Sequence, residues 1–118
     1  MIKELAFVAY PVSDMKRARQ FYEQILGLKL EYNYQEEWLE YTVGASTFAV
    51  TTMDIQHPPG RRGAVVAFEV DDLDATRKRL REHNVELLSE VAATPVCRSF
   101  AAADPDGNEI ILHRRNNA

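Results

Sequence analysis

Few side chains in these 118 residues could carry chemistry. His113 closes the stretch EIILH and Glu109 opens it; Glu69 stands near the end of GAVVAFEV. Side chains alternate along a strand, so Glu109, Ile111 and His113 share one face, as do Val65, Ala67 and Glu69. An imidazole with carboxylates suits general acid–base work or metal ligation. His113 has two readings of equal weight: a base or ligand-orienting donor, or a rim histidine with no specific role. Glu69 adjoins a helix cap and Glu109 a turn, where solvated carboxylates are the plainer reading. Cys97 is the single cysteine, which excludes an intrachain disulfide and a multi-cysteine metal site. Its neighbour Arg98 points to the other strand face, so a packed, inert thiol is expected. His57 falls in a proline loop and His83 at a helix end, where its positive form would suit the helix dipole. No nucleophile elbow accompanies the three histidines.

The elements that must position these groups follow from patterning. ELAFVAYPV reads as a strand buried on both faces, with Pro11 near its end. Asp14 is a helix N-cap; Ala18, Phe21, Tyr22, Ile25 and Leu26 form an apolar stripe, and Gly27 ends the helix. LKLEYNY, EWLEYTV and STFAVTTM are three strands. The loop HPPGRRG follows. GAVVAFEV is a buried strand, Asp72 a second N-cap, and Leu73, Thr76 and Leu80 a second stripe ending near His83 and Asn84. VELLSEV, PVCRSFAAA and NEIILH complete the second set, entered through the turn DPDGN; the tail RRNNA should fray. One fixed offset lays Val12-Ser13-Asp14-Met15 on Val70-Asp71-Asp72-Leu73, Ala18 on Thr76, Tyr22 on Leu80 and Leu30 on Leu88. The chain is an internal repeat. The expectation is an α+β fold of two tandem βαβββ modules, about 1–56 and 63–115, joined by the Pro/Gly loop 57–62.

Composition narrows the function classes. Charged residues make up 27% and the net charge is −4, which gives no basic surface for nucleic acid or acidic membrane. No run reaches transmembrane length and the first residues lack a signal-peptide core, so a cytoplasmic protein is expected.

Strand-helix-strand-strand-strand, twice, with V-x-D opening each helix, resembles the vicinal oxygen chelate superfamily. That group holds glyoxalases, extradiol dioxygenases, fosfomycin resistance enzymes and bleomycin-binding resistance proteins. RARQFYEQILGLKL looks like its first-helix segment, VDDLDA its second helix start, and DPDGNEI its final turn. The resemblance covers essentially the whole chain. It implies that each module curls its sheet into a half-barrel, that the two line a cleft opposite the helices, and that members commonly dimerise. In the metalloenzymes four side chains, His, Glu or Gln, enter the cleft and hold a metal that chelates two neighbouring substrate oxygens.

Carried onto this chain, those positions fall on Phe7, Val65, Ile111 and a residue of STFAVTTM, a stretch without His, Asp, Glu or Cys. None is a ligand for a hard or borderline divalent ion. No cofactor is therefore expected; a divalent Ni, Zn, Fe or Mn ion is the alternative, held only if Glu69, Glu109 and His113 converge. An apolar cleft lined by Phe7, Ala9, Val65, Ala67 and Ile111, with His113 as polar anchor, suits a small organic ligand. Trp38 and Tyr41 join this list as aromatic candidates. Either Trp38, Glu40 and Thr42 face the cleft or Leu39, Tyr41 and Val43 do. The expected protein is a ligand-binding homodimer; the alternatives are a lyase or isomerase acting on a small carbonyl compound through His113, and a structural dimer with a filled cleft.

Overall fold

The structure, a computed structural model, describes Met1 and residues 4–53, 58–60 and 65–116. It resolves into two compact units, Met1–Pro59 and Gly60–Ala118. The expected α+β organisation is present: each unit carries a four-stranded mixed sheet behind one principal helix.

In the first module β1 (Val8–Pro11) leads to α1 (Met15–Arg19). The Asp14 carboxylate caps α1, accepting from the Arg17 amide at 3.1 Å. The helix continues as a π-helical stretch, Gln20–Ile25, where periodicity alone predicts α-helix. There the adjacent Phe21 and Tyr22 rings both turn inward and meet edge to face at 4.9 Å; a wider turn accommodates two bulky neighbours on one side. Gly27, at φ 75°, closes the helix in the left-handed region as expected. Strands β2 (Lys29–Tyr34), β3 (Trp38–Val43) and β4 (Ser46–Thr51) complete the sheet, in the order β1-β4-β3-β2. β1 runs parallel to β4 and the other pairs are antiparallel. Pro11 sits on the sheet's terminal strand, where a missing donor is tolerated. The core lies between helix and sheet: Tyr10, Val12, Ala18, Tyr22, Leu39, Tyr41, Phe48 and Val50 are all buried.

The turn from β2 to β3 places Gln35 and Glu36 at φ 53° and 57°, both without glycine. Side chains hold it. Asn33 accepts from the Glu36 amide at 2.9 Å and bonds the Glu36 carboxylate; Arg19 donates to both oxygens of that carboxylate at 3.0 and 2.9 Å. Arg19 also binds Glu23, which accepts from the Tyr41 hydroxyl at 2.9 Å. Burial and the Glu23 carboxylate push the Tyr41 phenol well above the usual range.

The second module repeats the plan: β5 (Val66–Glu69), α2 (Leu73–Glu82) capped by Asp72, β6 (Ala92–Ala93), β7 (Cys97–Ala103) and β8 (Glu109–Arg115), in the order β5-β8-β7-β6. Leu73, Leu80, Phe68, Phe100, Ile110 and Leu112 form its core.

Three expectations are corrected. ELAFVAYPV is not buried on both faces: the strand begins only at Val8, and Leu5 and Phe7 are 81% and 48% exposed. VELLSEV is not a strand, and β6 is a two-residue piece after it. Leu88 does bond Ala101, but the Ser89 hydroxyl takes the Ala101 amide and the Ser89 carbonyl accepts from buried Arg77 at 3.1 Å, so the ladder is diverted. Arg77 also lies 4.8 Å over the Phe100 ring. Finally, Arg114 and Arg115 are not frayed but belong to β8, paired with Arg98 and Cys97.

The DPDGN turn is a closed hydrogen-bonded unit. Asp104, 5% exposed, accepts from the amides of Asp106 and Asn108 at 2.9 Å and from the Asn108 side chain at 2.8 Å. Asn108 in turn accepts from the Gly60 amide at 2.8 Å. Asp104→Ala leaves these donors without their acceptor in a buried site and should cost about 2 kcal/mol. Urea unfolding checks this; a loss below about 0.5 kcal/mol would show that the turn is not a stability element.

Candidate functional site

Each sheet has one face under its helix and one face away from it. Cross-strand partners share a face, so register assigns every residue. In the first module Tyr41 pairs with Phe48 and Leu39 with Val50, all buried against the helix. Trp38 pairs with Tyr34 and with Thr51, Glu40 with Tyr32 and with Ala49. Trp38, Glu40 and Thr42 therefore occupy the open face, with Ala9 beside Ala49. This resolves the choice left open by the sequence, and it removes Tyr41 from the candidate ligand surface. Tyr41 is fully buried because strand alternation turns it toward Tyr22 and Glu23.

The open face is aromatic. Phe7 meets the Trp38 ring edge to face at 5.2 Å, and the Trp38 indole N–H donates to Glu40 at 2.8 Å. Phe7, Tyr32 and Tyr34 are 48%, 51% and 42% exposed. Tyr32 and Tyr34, aromatics of the same strand pair, join Trp38 through the β2–β3 register, which a bulge between Leu30 and Tyr32 sets. Hydrophobic alternation carries no signal of that bulge.

In the second module Ala67 pairs with Ile111, Glu69 with His113, and Ile111 with Ala101. Val65, just before β5, is exposed; Ala67 is exposed and Ile111 half-buried. His113 is joined to Glu69, with Nδ1 2.6 Å from Oε1, while Oε2 accepts from the Arg115 amide at 2.7 Å. Parallel pairing of β5 with β8 creates this contact, and residue spacing alone does not reveal which strands pair. Cys97 is half-buried, with Sγ 3.3 Å from the Thr94 hydroxyl. Arg98 faces the helix and bonds Asp74 at 2.9 Å. His83 caps α2 and its Nδ1 lies 2.9 Å from the Arg79 carbonyl. His57 lies outside the described residues.

The alternative metal set does not assemble. Glu109 and His113 are four residues apart on one strand, roughly 13 Å. Among the described residues no three His, Cys, Asp or Glu side chains come together in a way that could hold a metal ion. Phe7, Val65 and Ile111, onto which the resemblance carries the metal ligands, offer hydrocarbon, and Thr47, Ala49 and Thr51, which share the Trp38 face on β4 with Ala49 and Thr51 buried, supply no strong donor. The residues present do not fit the superfamily's metal.

The Arg115 amide, and then the His113 ring, hold the Glu69 carboxyl below the usual carboxylate range. A depressed value stabilises the fold above the ordinary glutamate pKa, and that contribution disappears as pH falls through the folded value. Glu69→Gln should flatten this part of the acid-unfolding curve, followed by circular dichroism. Unchanged steepness would mean that Glu69 is not linked to folding.

The two repeated βαβββ modules and these open faces define a chain of the glyoxalase type. Residues 4–112 match the model of the Glyoxalase/Bleomycin resistance protein/Dioxygenase superfamily, and the chain belongs to that family. It is similar to TnmS3, an antibiotic binding protein from Streptomyces sp. CB03234, with 29% identity, a TM-score of 0.82 and 98% of each chain covered. It is also similar to a glyoxalase/bleomycin resistance protein from the same organism, with 30% identity, a TM-score of 0.77, and 92% of this chain and 98% of that one covered. The Uncharacterized protein YetH of Bacillus subtilis (strain 168) is 26% identical over 95% of this chain and 98% of its own.

Among the described residues no helix is long and apolar enough to cross a membrane.

Proposed function

We propose that this protein binds a small, flat organic ligand on the aromatic open face of the first module's sheet, without a divalent metal. The observation that carries this reading is the aromatic set on one sheet face, exposed Phe7, Tyr32 and Tyr34 around half-buried Trp38. Exposed aromatics at a shared face mark binding surfaces, and each stacked ring adds about 0.5–1.5 kcal/mol beyond area burial. Hydrocarbon at Phe7, Val65 and Ile111 supports the same conclusion, as does the likeness to TnmS3, an antibiotic binding protein. In this reading the protein sequesters or carries its ligand, as a cytoplasmic homodimer; sedimentation velocity would show a single-chain mass if the dimer were wrong.

A lyase or isomerase is the second reading, favoured by the Glu69–His113 pair, a carboxylate-oriented imidazole of the kind acid–base enzymes use.

Titration with 1-naphthol tests the binding reading. At roughly 0.5 kcal/mol per non-hydrogen atom, this probe should bind with a dissociation constant of about 0.1 mM. Saturable binding that perturbs the Trp38 side-chain NMR signal is expected. Unsaturated, non-specific shifts across the molecule would overturn the reading.

A further inference from the structure

We propose that Glu69 and His113 form a recognition dyad on the open face of the second sheet, which takes an acidic hydroxyl of the ligand, a phenol or an enol, through His113 Nε2. This goes beyond the binding reading above: it names a second surface, within the second module alone, for the same class of ligand. Glu69 is fixed at two points: Oε2 accepts from the Arg115 amide at 2.7 Å, and Oε1 lies 2.6 Å from His113 Nδ1. An ionised carboxylate only accepts hydrogen bonds, so in the neutral imidazole Nδ1 must carry the proton. Nε2 then presents a lone pair, and it has no hydrogen-bond partner among the described residues.

The His113 side chain keeps 27% of its surface exposed, so the lone pair is reachable. Its surroundings select the ligand body. Ile111 lies two residues away on the same face, and its partners across the sheet are Ala67 and Ala101. Two alanines flanking an isoleucine make a shallow apolar floor beside one acceptor. That combination fits a flat hydroxylated aromatic, its ring over the floor and its O–H directed to Nε2. As the ligand proton shifts toward Nε2, the Glu69 carboxylate stabilises the positive charge developing on the ring. Glu69 is thus a positioning residue and His113 the contacting one.

The test joins imidazole ¹⁵N NMR to binding of two probes, 1-naphthol and 1-methoxynaphthalene. The three histidines make assignment direct, with His113→Ala identifying the signal. The expected result is a lone-pair-type Nε2 in the free protein and, with binding followed at the His113 signal, at least tenfold tighter binding of 1-naphthol than of its methyl ether. Glu69→Gln keeps the size and can still accept from the Arg115 amide. Its side-chain NH2 then donates to Nδ1, so the tautomer reverses and the preference for 1-naphthol is lost. A purely structural Glu69 would not move the tautomer. A lone pair on Nδ1 in the wild-type protein overturns the proposal. Equal affinity for the two probes overturns it while leaving the general binding reading intact. No binding of either probe overturns both.

Discussion

Tyr22→Ala destabilises the first module by about 3–5 kcal/mol, the range for removing a fully buried aromatic ring. Tyr22 has no exposed surface and stands where helix meets sheet. Its ring lies 4.9 Å from Phe21, 5.1 Å from Phe48 and 6.3 Å from Tyr41. Truncation opens a cavity among three aromatic rings. Tyr41 cannot swing to fill it, because its hydroxyl is committed to Glu23, itself held by Arg19. Domains are stable by only about 5–15 kcal/mol, so this single change removes a large share of the total. Trp38, the one tryptophan, lies in the same module and reports its unfolding in urea by fluorescence. Tyr32→Ala is the control: at 51% exposure on the open face it should change stability by less than about 0.5 kcal/mol. Equal losses in the two variants would contradict the assignment of buried and open faces.

Trp38→Ala should weaken binding of a flat aromatic ligand roughly 30-fold or more, in the range of tryptophan hot spots. Trp38 is packed by Phe7 at 5.2 Å and its indole N–H is bound to Glu40, so the ring is held in one orientation before any ligand arrives. A preorganised aromatic surface loses little entropy on binding. The same substitution should leave the fold in place, because the buried side of β3 is carried by Leu39 and Tyr41. Calorimetric titration with 1-naphthol and a far-ultraviolet circular dichroism spectrum separate the two effects. Unchanged affinity with an intact fold would move the ligand away from this face.

Local chemistry made much of the fold readable. Asp14 and Asp72 have carboxylates suited to capping, Gly27 tolerates positive φ, and apolar stripes announce both helices. What stayed hidden depends on pairing between distant segments. Tyr41 and Trp38 are both aromatic and adjacent to charged residues, so strand alternation alone left two phases; only the pairing of Tyr41 with Phe48 fixes which face is buried. VELLSEV has the composition of a strand, yet its course is set by Arg77, a helix residue that reaches the Ser89 carbonyl. Nothing in the residues from 85 to 91 records that contact. Likewise Glu69 and His113 were each placed on an open strand face, but their pairing requires that β5 run parallel to β8 in one register. The helices were legible because their signals are local; the site was only partly so because its geometry is not.

The proposed ligand binding runs through aromatic and apolar surface rather than through a chelated metal. The most direct measurement is calorimetric titration of the protein with 1-naphthol in excess EDTA, repeated after replacing EDTA with nickel, zinc, iron(II) or manganese. Saturable binding in EDTA, with an affinity unchanged by any of these ions, is expected. Binding that disappears in EDTA and returns with one metal would contradict it, and would require ligands other than those the open faces present.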